Sequence, residues 1–270
     1  KLADFLRSHG LAPQKKFGQN FLVSESVLST IVAAADLQSN DRVVEIGAGL
    51  GTLTRELASR AGAVTALEYD ASIFPALTQN LAAAQNVELQ NLDVRKFDPP
   101  ADKYKLVANI PYYLTSPILR QFFVDTEQRP QLTVLLIQKE VAERICDPHK
   151  NSVLSWQVKI FGQPELILKV PKGSFLPPPK VESAVIRIKL LPEPLIAKKD
   201  LADFFKLLHT GFRAPRKKIG GSLIAGLPFK KEISQKILAD SGVDLDQRPE
   251  DLKIEDWQKI LVETRKVADL

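Results

Sequence analysis

The segment Val43-Val44-Glu45-Ile46-Gly47-Ala48-Gly49-Leu50-Gly51 places three glycines in a G-x-G-x-G spacing directly after a β-branched run. Without side chains, such a loop lets a ligand approach the backbone where a strand gives way to a helix. Glu68 closes the next β-branched run, 21 residues after Gly47, where a carboxylate can accept hydrogen bonds from ribose hydroxyls. Asp93 closes the run after that and is placed to accept from the adenine amine of the same nucleoside. Three such features at the ends of successive strands describe an adenosine-shaped ligand in the crevice of an open sheet. A glycine loop alone is often just a tight turn. Dinucleotide folds more often show G-x-G-x-x-G around a pyrophosphate, but at this point a nicotinamide cofactor remains a rival ligand.

Asn109-Ile110-Pro111-Tyr112 follows the fourth β-branched run and so faces the reactive end of whatever the loop holds. The exocyclic amine of adenine is a poor nucleophile because its lone pair is delocalised into the ring. Two acceptors that bond both N–H groups draw the nitrogen toward tetrahedral geometry and localise that pair for attack on a sulfonium methyl. The Asn109 side-chain oxygen and the Ile110 carbonyl suit this role, Pro111 restricts the turn that aims them, and Tyr112 offers a flat face for stacking. Phe175, in Gly173-Ser174-Phe175-Leu176-Pro177-Pro178-Pro179, is expected to clamp the opposite face of a flipped-out base from a loop stiffened by its prolines. In-line positioning then supplies most of the rate, with neither a metal nor a covalent intermediate.

These residues need a sheet to hold them. From Asp41 to Leu190, short β-branched runs alternate with amphipathic stretches, as in a mainly parallel sheet covered by helices. The runs are Arg42 to Ile46, Ala63 to Glu68, Val87 to Leu92, Lys105 to Asn109, Leu132 to Ile137, Glu165 to Val170 and Ala184 to Leu190. Thr52 to Arg60 and Ala71 to Ala84 are predicted crossover helices. The Pro-rich loop Pro171 to Val181 is too short for one, so the last strand should run antiparallel to the sixth. Ser24 is expected to cap a helix over Ser24 to Ala35 whose apolar face is Val27, Leu28, Ile31 and Val32. After Leu190, Pro192 and Pro194 break the chain, and helical patterns follow at Leu201 to Leu208, Lys231 to Ser241 and Asp256 to Val267. The division expected is a catalytic α/β domain over 1–190 and an all-helical domain over 191–270.

With these residues in view, the chain resembles the ribosomal RNA adenine dimethyltransferase family, the small-subunit enzymes that modify two adjacent adenosines. The resemblance spans nearly the whole chain. It rests on Phe17-Gly18-Gln19-Asn20-Phe21-Leu22, the Glu45 to Gly51 loop, Asn109-Ile110-Pro111-Tyr112-Tyr113, Gln138-Lys139-Glu140-Val141-Ala142-Glu143-Arg144, and Phe175 to Val185 with its Pro-Pro-Pro-Lys-Val-Glu-Ser-Ala-Val core. It implies a Rossmann-like, seven-stranded methyltransferase sheet with S-adenosylmethionine as methyl donor, contacted by Asn20, Leu22, Gly47, Glu68, Asp93 and Asn109, to which the glycine loop itself adds Gly49 as a cofactor-binding position. Asn20 and Leu22 enter that set through the resemblance alone. It also implies a basic RNA-contacting motif, matched by Phe212-Arg213-Ala214-Pro215-Arg216-Lys217-Lys218. There Arg213, Arg216, Lys217 and Lys218 suit phosphate contacts that position RNA without reading sequence, although Ala214-Pro215 departs from a more polar pairing.

Composition narrows the field further. A chain of 270 residues with 44% hydrophobic content can fill a globular core. One cysteine, Cys146, and three scattered histidines, His9, His149 and His209, do not suggest a metal site. No apolar run approaches the roughly 20 residues of a membrane span, and Lys1 to His9 is mixed charge rather than a signal sequence. The net charge of +5 agrees with a polyanionic partner without requiring one. The expectation is a cytoplasmic, monomeric enzyme acting on ribosomal RNA or a small-subunit precursor near the 3′ end of 16S RNA, within ribosome biogenesis. Alternatives are a large-subunit (23S) adenine methyltransferase of the macrolide-resistance type, a non-catalytic assembly or transcription factor of the same fold, and a hydride-transferring dehydrogenase. The glycine spacing and the Asn109 tetrad disfavour the last.

Overall fold

A computed structural model describes Leu6, residues 11–14 and residues 17–268. The charged segment Lys1 to His9 therefore lies outside the described residues, apart from Leu6. In chain order the first elements are β1 (Phe21–Leu22), α1 (Glu25–Ala34), β2 (Arg42–Ile46), α2 (Thr52–Ala58), β3 (Ala63–Glu68), α3 (Phe74–Asn80), β4 (Val87–Asn91), β5 (Lys105–Asn109), α4 (Thr115–Leu119), β6 (Leu132–Gln138) and α5 (Lys139–Cys146). They are followed by α6 (Val153–Lys159), β7 (Gly162–Val170), β8 (Phe175–Leu176), β9 (Ser183–Leu190), α7 (Leu201–Gly211), α8 (Ile219–Gly226), α9 (Lys231–Ser241) and α10 (Ile254–Ala268). The chain divides into two compact units, 1–146 with 162–190, and 147–161 with 191–270.

The first unit is built on a seven-stranded sheet of order β4-β3-β2-β5-β6-β9-β7. The strands from β4 to β6 are parallel, as their helical crossovers require, and β9 runs antiparallel to both β6 and β7. Central strands buried on both faces explain the unbroken apolar runs Leu106-Val107-Ala108 and Val134-Leu135-Leu136-Ile137, all essentially without exposure. Each such Leu, Ile or Val contributes about 1.5–3 kcal/mol on burial. Ser24 accepts from the Val27 amide and caps α1, whose Val27, Ile31 and Val32 pack into the core with Val43, Leu57, Val107 and Val134. The predicted helix over Ala71 to Ala84 is regular only from Phe74 to Asn80. Pro75 sits in its first turn, where its missing N–H is not needed, and both flanks form turns.

Strand order reverses between β2 and β5, so a crevice opens at their carboxyl ends. Gly47 immediately follows β2 and Asn109 ends β5, which places both at this edge. A separate antiparallel pair, β1 with β8, aligns Leu22 with Phe175 and Phe21 with Leu176. Sequence periodicity missed both of these strands, which are two residues long.

The second unit is helical. Ser152 and Ser155 form a reciprocal capping box at the start of α6, while Trp156 and Val158 are buried. The 147–161 segment, expected within the catalytic domain, instead groups with the C-terminal helices. Its Phe161 and Ile160 carbonyls accept from Leu191 and Leu195, and its Asn151 amide donates to Glu250. Those long-range bonds give its backbone partners that no local pattern reveals. Trp257 stacks on Phe212 with ring centroids 5.8 Å apart, and a Cβ at Gly211 would meet Trp257 at 2.5 Å, so this position excludes any larger residue. No helix among the described residues is long and apolar enough to cross a membrane.

Candidate active site

Gly47, Gly49 and Gly51 hold φ of +79°, +61° and +83°, a left-handed run that only glycine enters without strain. Space is also tight at Gly47, where a Cβ would come within 3.2 Å of the Asn109 carbonyl oxygen, whereas one at Gly49 would make ordinary contact with the Phe21 ring at 3.4 Å. Glu68 ties this loop to the end of β3. One carboxylate oxygen accepts from the Gly49 amide and the other from the Asp70 amide, both at 2.8 Å. Burial raises the Glu68 pKa above the usual carboxylate range, and these two amides oppose part of that rise. Glu68 is thus already a loop brace, and a ribose would have to use its remaining lone pairs.

Asp93 caps the short turn after β4 through the Arg95 amide. Its carboxylate is held by the Arg95 guanidinium, with Nε at 3.0 and 3.1 Å and Nη2 at 2.5 Å, which lowers its pKa. The Phe17–Leu22 strap closes over this side of the cleft. Gln19 donates to Asp70 at 2.7 Å, and the Phe17 ring meets Tyr69 edge-on at 5.4 Å. Asn20, Gly47, Gly49, Glu68, Asp93, Asn109, Ile110, Pro111, Tyr112 and Phe175 all line this one cleft. Leu22 does not. It lines a recess behind the glycine loop with Leu28, Glu45 and Asn109.

At the tetrad, Pro111 adopts φ −53° and ψ 132° and turns the chain from β5 into a 3-10 turn over Tyr112–Leu114. The Asn109 side-chain nitrogen donates a long bond, 3.5 Å, to the Asn20 carbonyl, an orientation that leaves its side-chain oxygen free of that contact. The Tyr112 hydroxyl lies 2.7 Å from that of Ser183, and burial raises the Tyr112 pKa against the opposing effect of this bond. Phe175, expected on a Pro-stiffened loop, lies instead in the short strand β8, is only 4% exposed, and its ring forms part of the cleft wall. The ladder with β1 explains this, since pairing to Leu22 draws Phe175 into the core.

Glu45, two residues before Gly47, is 1% exposed, and its pKa is pushed up to about 8, chiefly by burial. The nearby Thr54 hydroxyl opposes part of this rise. Among the described residues, neither that hydroxyl nor the Glu45 carboxyl oxygens have a partner of hydrogen-bonding geometry. The basic residues Arg213, Arg216, Lys217 and Lys218 lie in the helical unit, all exposed, with Lys218 paired to Asp246 at 3.0 Å. Sequence reasoning gave no role to Arg95, Gln19, Asp70 or Ser183. An Arg two residues after a strand-ending Asp was a readable signal for the first, whereas the other three act across 51 to 71 residues of chain.

Residues 11–266 match the family described as ribosomal RNA adenine dimethylase. A ribosomal RNA small subunit methyltransferase A from Dehalococcoides mccartyi is 39% identical, covering 96% of this chain and 91% of its own. One from Alkaliphilus metalliredigens is 40% identical, covering 94% and 91%. Among solved structures, a dimethyladenosine transferase from Plasmodium falciparum superposes with a TM-score of 0.81 at 26% identity, over 92% of this chain and 98% of its own. The 23S rRNA methyltransferase ErmE gives 0.73 at 28% identity, over 91% and 100%.

Proposed function

From the premise that the chain belongs to the ribosomal RNA adenine dimethylase family, we propose that it dimethylates N6 of two adjacent adenosines near the 3′ end of small-subunit ribosomal RNA. The methyl donor in this reading is S-adenosylmethionine, and the setting is ribosome biogenesis in the cytoplasm, with the enzyme acting as a monomer. One observation carries it: the glycine loop, Glu68 and Asp93 share a single cleft with Asn109 through Tyr112.

The donor fits the residues present. A Cβ at Gly47 or Gly49 would fill the cradle between loop, Asn109 carbonyl and Phe21, so this backbone is shaped for close approach of a ligand. Gly47, Gly49, Asn20 and Asn109 would hold its amino-acid end, with Glu68 at the ribose and Asp93 at the adenine amine. When bound, S-adenosylmethionine supplies an electrophilic methyl group. The Asn109 side-chain oxygen and the Ile110 carbonyl accept the two N–H groups of the target amine and localise its lone pair. Tyr112 and the Phe175 wall offset part of the cost of unstacking the base. Arg213, Arg216, Lys217 and Lys218 contact phosphates and contribute affinity rather than sequence selection.

The likeness to ErmE keeps a large-subunit substrate as the second reading. The test is to incubate the protein and labelled S-adenosylmethionine with unmodified small and large subunits, then map dimethyladenosine. Two adjacent modified adenosines in the small-subunit RNA are expected. Label confined to large-subunit RNA would transfer the assignment to the second reading, and no label on either would overturn both.

A further inference from the structure

Ser183 begins β9 with its side chain fully buried, ahead of the apolar run Ala184-Val185-Ile186. Its backbone is paired on both sides, with Gln138 of β6 and with Val170 of β7. The preceding residue is fixed as well: the Glu182 carbonyl accepts from the Lys139 amide, and its carboxylate accepts from the Lys139 ammonium at 2.7 Å. A hydroxyl held this firmly and buried this deeply needs a hydrogen-bonding partner. That partner is the phenol of Tyr112, 2.7 Å away.

The consequence falls on the Tyr112 ring. Its near end is set by Pro111 and the 3-10 turn, and its far end is anchored to a strand that is paired on both sides. With both ends fixed, the long axis of the ring is held in place before any base arrives. Tyr112 lines the cleft beside Asn109, on the side where the target base would stack.

Building on the proposed reaction, we infer that Ser183 is a positioning residue that holds the Tyr112 ring in its place on the cleft wall and thereby favours the second methyl transfer over release of the monomethylated base. Both amine hydrogens can be gripped in the first transfer. Only one N–H remains for the second, so one of the two acceptors loses its partner. Orientation of the base then depends more on the aromatic wall, and small misplacements cost rate steeply. A Tyr112 ring free to swing harms the second step more than the first.

The experiment uses the full chain with unmodified small subunits and separates monomethyl- from dimethyladenosine by nucleoside chromatography. Ser183→Ala should raise the mono-to-dimethyl ratio roughly threefold to tenfold, the range a single lost hydrogen bond supports, while the first transfer changes less. Tyr112→Phe removes the same bond from the other side and keeps the ring, so it should give the same ratio. The double variant should be no worse than either single one. Stacking is read independently by placing 2-aminopurine at the target position of a short RNA, where its quenching by the enzyme should weaken in Ser183→Ala. If Ser183→Ala does not fold, Tyr112→Phe alone decides. A wild-type product ratio in the folded variants, or effects of the two substitutions that multiply, would overturn the inference. A wild-type enzyme that makes no dimethyladenosine would instead sink the proposed reaction, so the two failures are distinguishable.

Discussion

The two sides of the cleft are built by different means. The donor side is a backbone structure: three left-handed glycines, held by Glu68 through the Gly49 amide and by short-range turns around Asp70 and Asp93. The base side is a side-chain structure whose groups are oriented by distant partners, Asn109 by Asn20 across 89 residues and Tyr112 by Ser183 across 71. A backbone cradle is set once the loop folds. The base side depends on the sheet, the strap and β9 all being in place.

The difference predicts separable losses. Asn109→Ala should reduce turnover by roughly 10²- to 10³-fold, the scale of losing one positioned charge-stabilising group, while calorimetric affinity for S-adenosylmethionine falls by less than about tenfold. Turnover near wild type would remove Asn109 from the base side. A comparable collapse of donor affinity would mean that the two sides are not distinct.

RNA affinity should be separable from both. Changing Arg213, Arg216, Lys217 and Lys218 together to Gln should weaken RNA binding by roughly 10- to 100-fold at moderate salt. The log–log salt slope should become shallower by about 2 to 3, with turnover at saturating RNA little altered. The slope change is set below four because Lys218 already pairs with Asp246. An unaltered slope would take the RNA contacts away from this segment.

Gly49→Ala tests the donor side. The φ of +61° opposes a methyl group, at a cost of about 1–2 kcal/mol in strain, while its 3.4 Å approach to Phe21 is ordinary contact. Roughly tenfold weaker donor binding is expected, with kcat recovered at high donor concentration. A loss of kcat that high donor does not repair would show that the loop also shapes the base side, where a Cβ at the adjacent Gly47 would already press on the Asn109 carbonyl.

The same contrast explains what could be read from the sequence. The five inner strands of the main sheet were legible because strands buried on both faces leave continuous apolar runs, and the donor loop was legible because left-handed backbone demands glycine at fixed spacing. That Phe175 sits on a strand and not on a loop was not legible, because nothing local announces the two-residue pairing of β8 with β1. The grouping of 147–161 with the helical unit was hidden for a related reason: its backbone partners lie at 191, 195 and 250. Ser183 stood inside a motif tied to the family resemblance, yet its role appeared only when the fold set it against Tyr112.

Glu45 lies behind the donor loop, and its substitution has the smallest expected effect on activity. Its buried carboxyl has a pKa of about 8, so the folded protein retains a proton there that the unfolded chain releases above about 4.5. The unfolded state therefore binds fewer protons through this interval, and stability declines as pH rises from about 4.5 toward 8. Glu45→Gln places a neutral group of nearly the same shape at the site and has no such proton to lose. Relative to wild type, the variant should gain stability between pH 5 and pH 8, by an amount on the order of a few kcal/mol in denaturant midpoints converted to free energy. Donor affinity should change by less than about threefold at pH 7, because Glu45 faces the recess behind the loop rather than the main cleft. A stability difference that stays constant across this pH range would mean that Glu45 is ionised in the folded protein. The carboxylate would then be an active part of the donor side, and its substitution should cost donor affinity on the scale of Gly49→Ala.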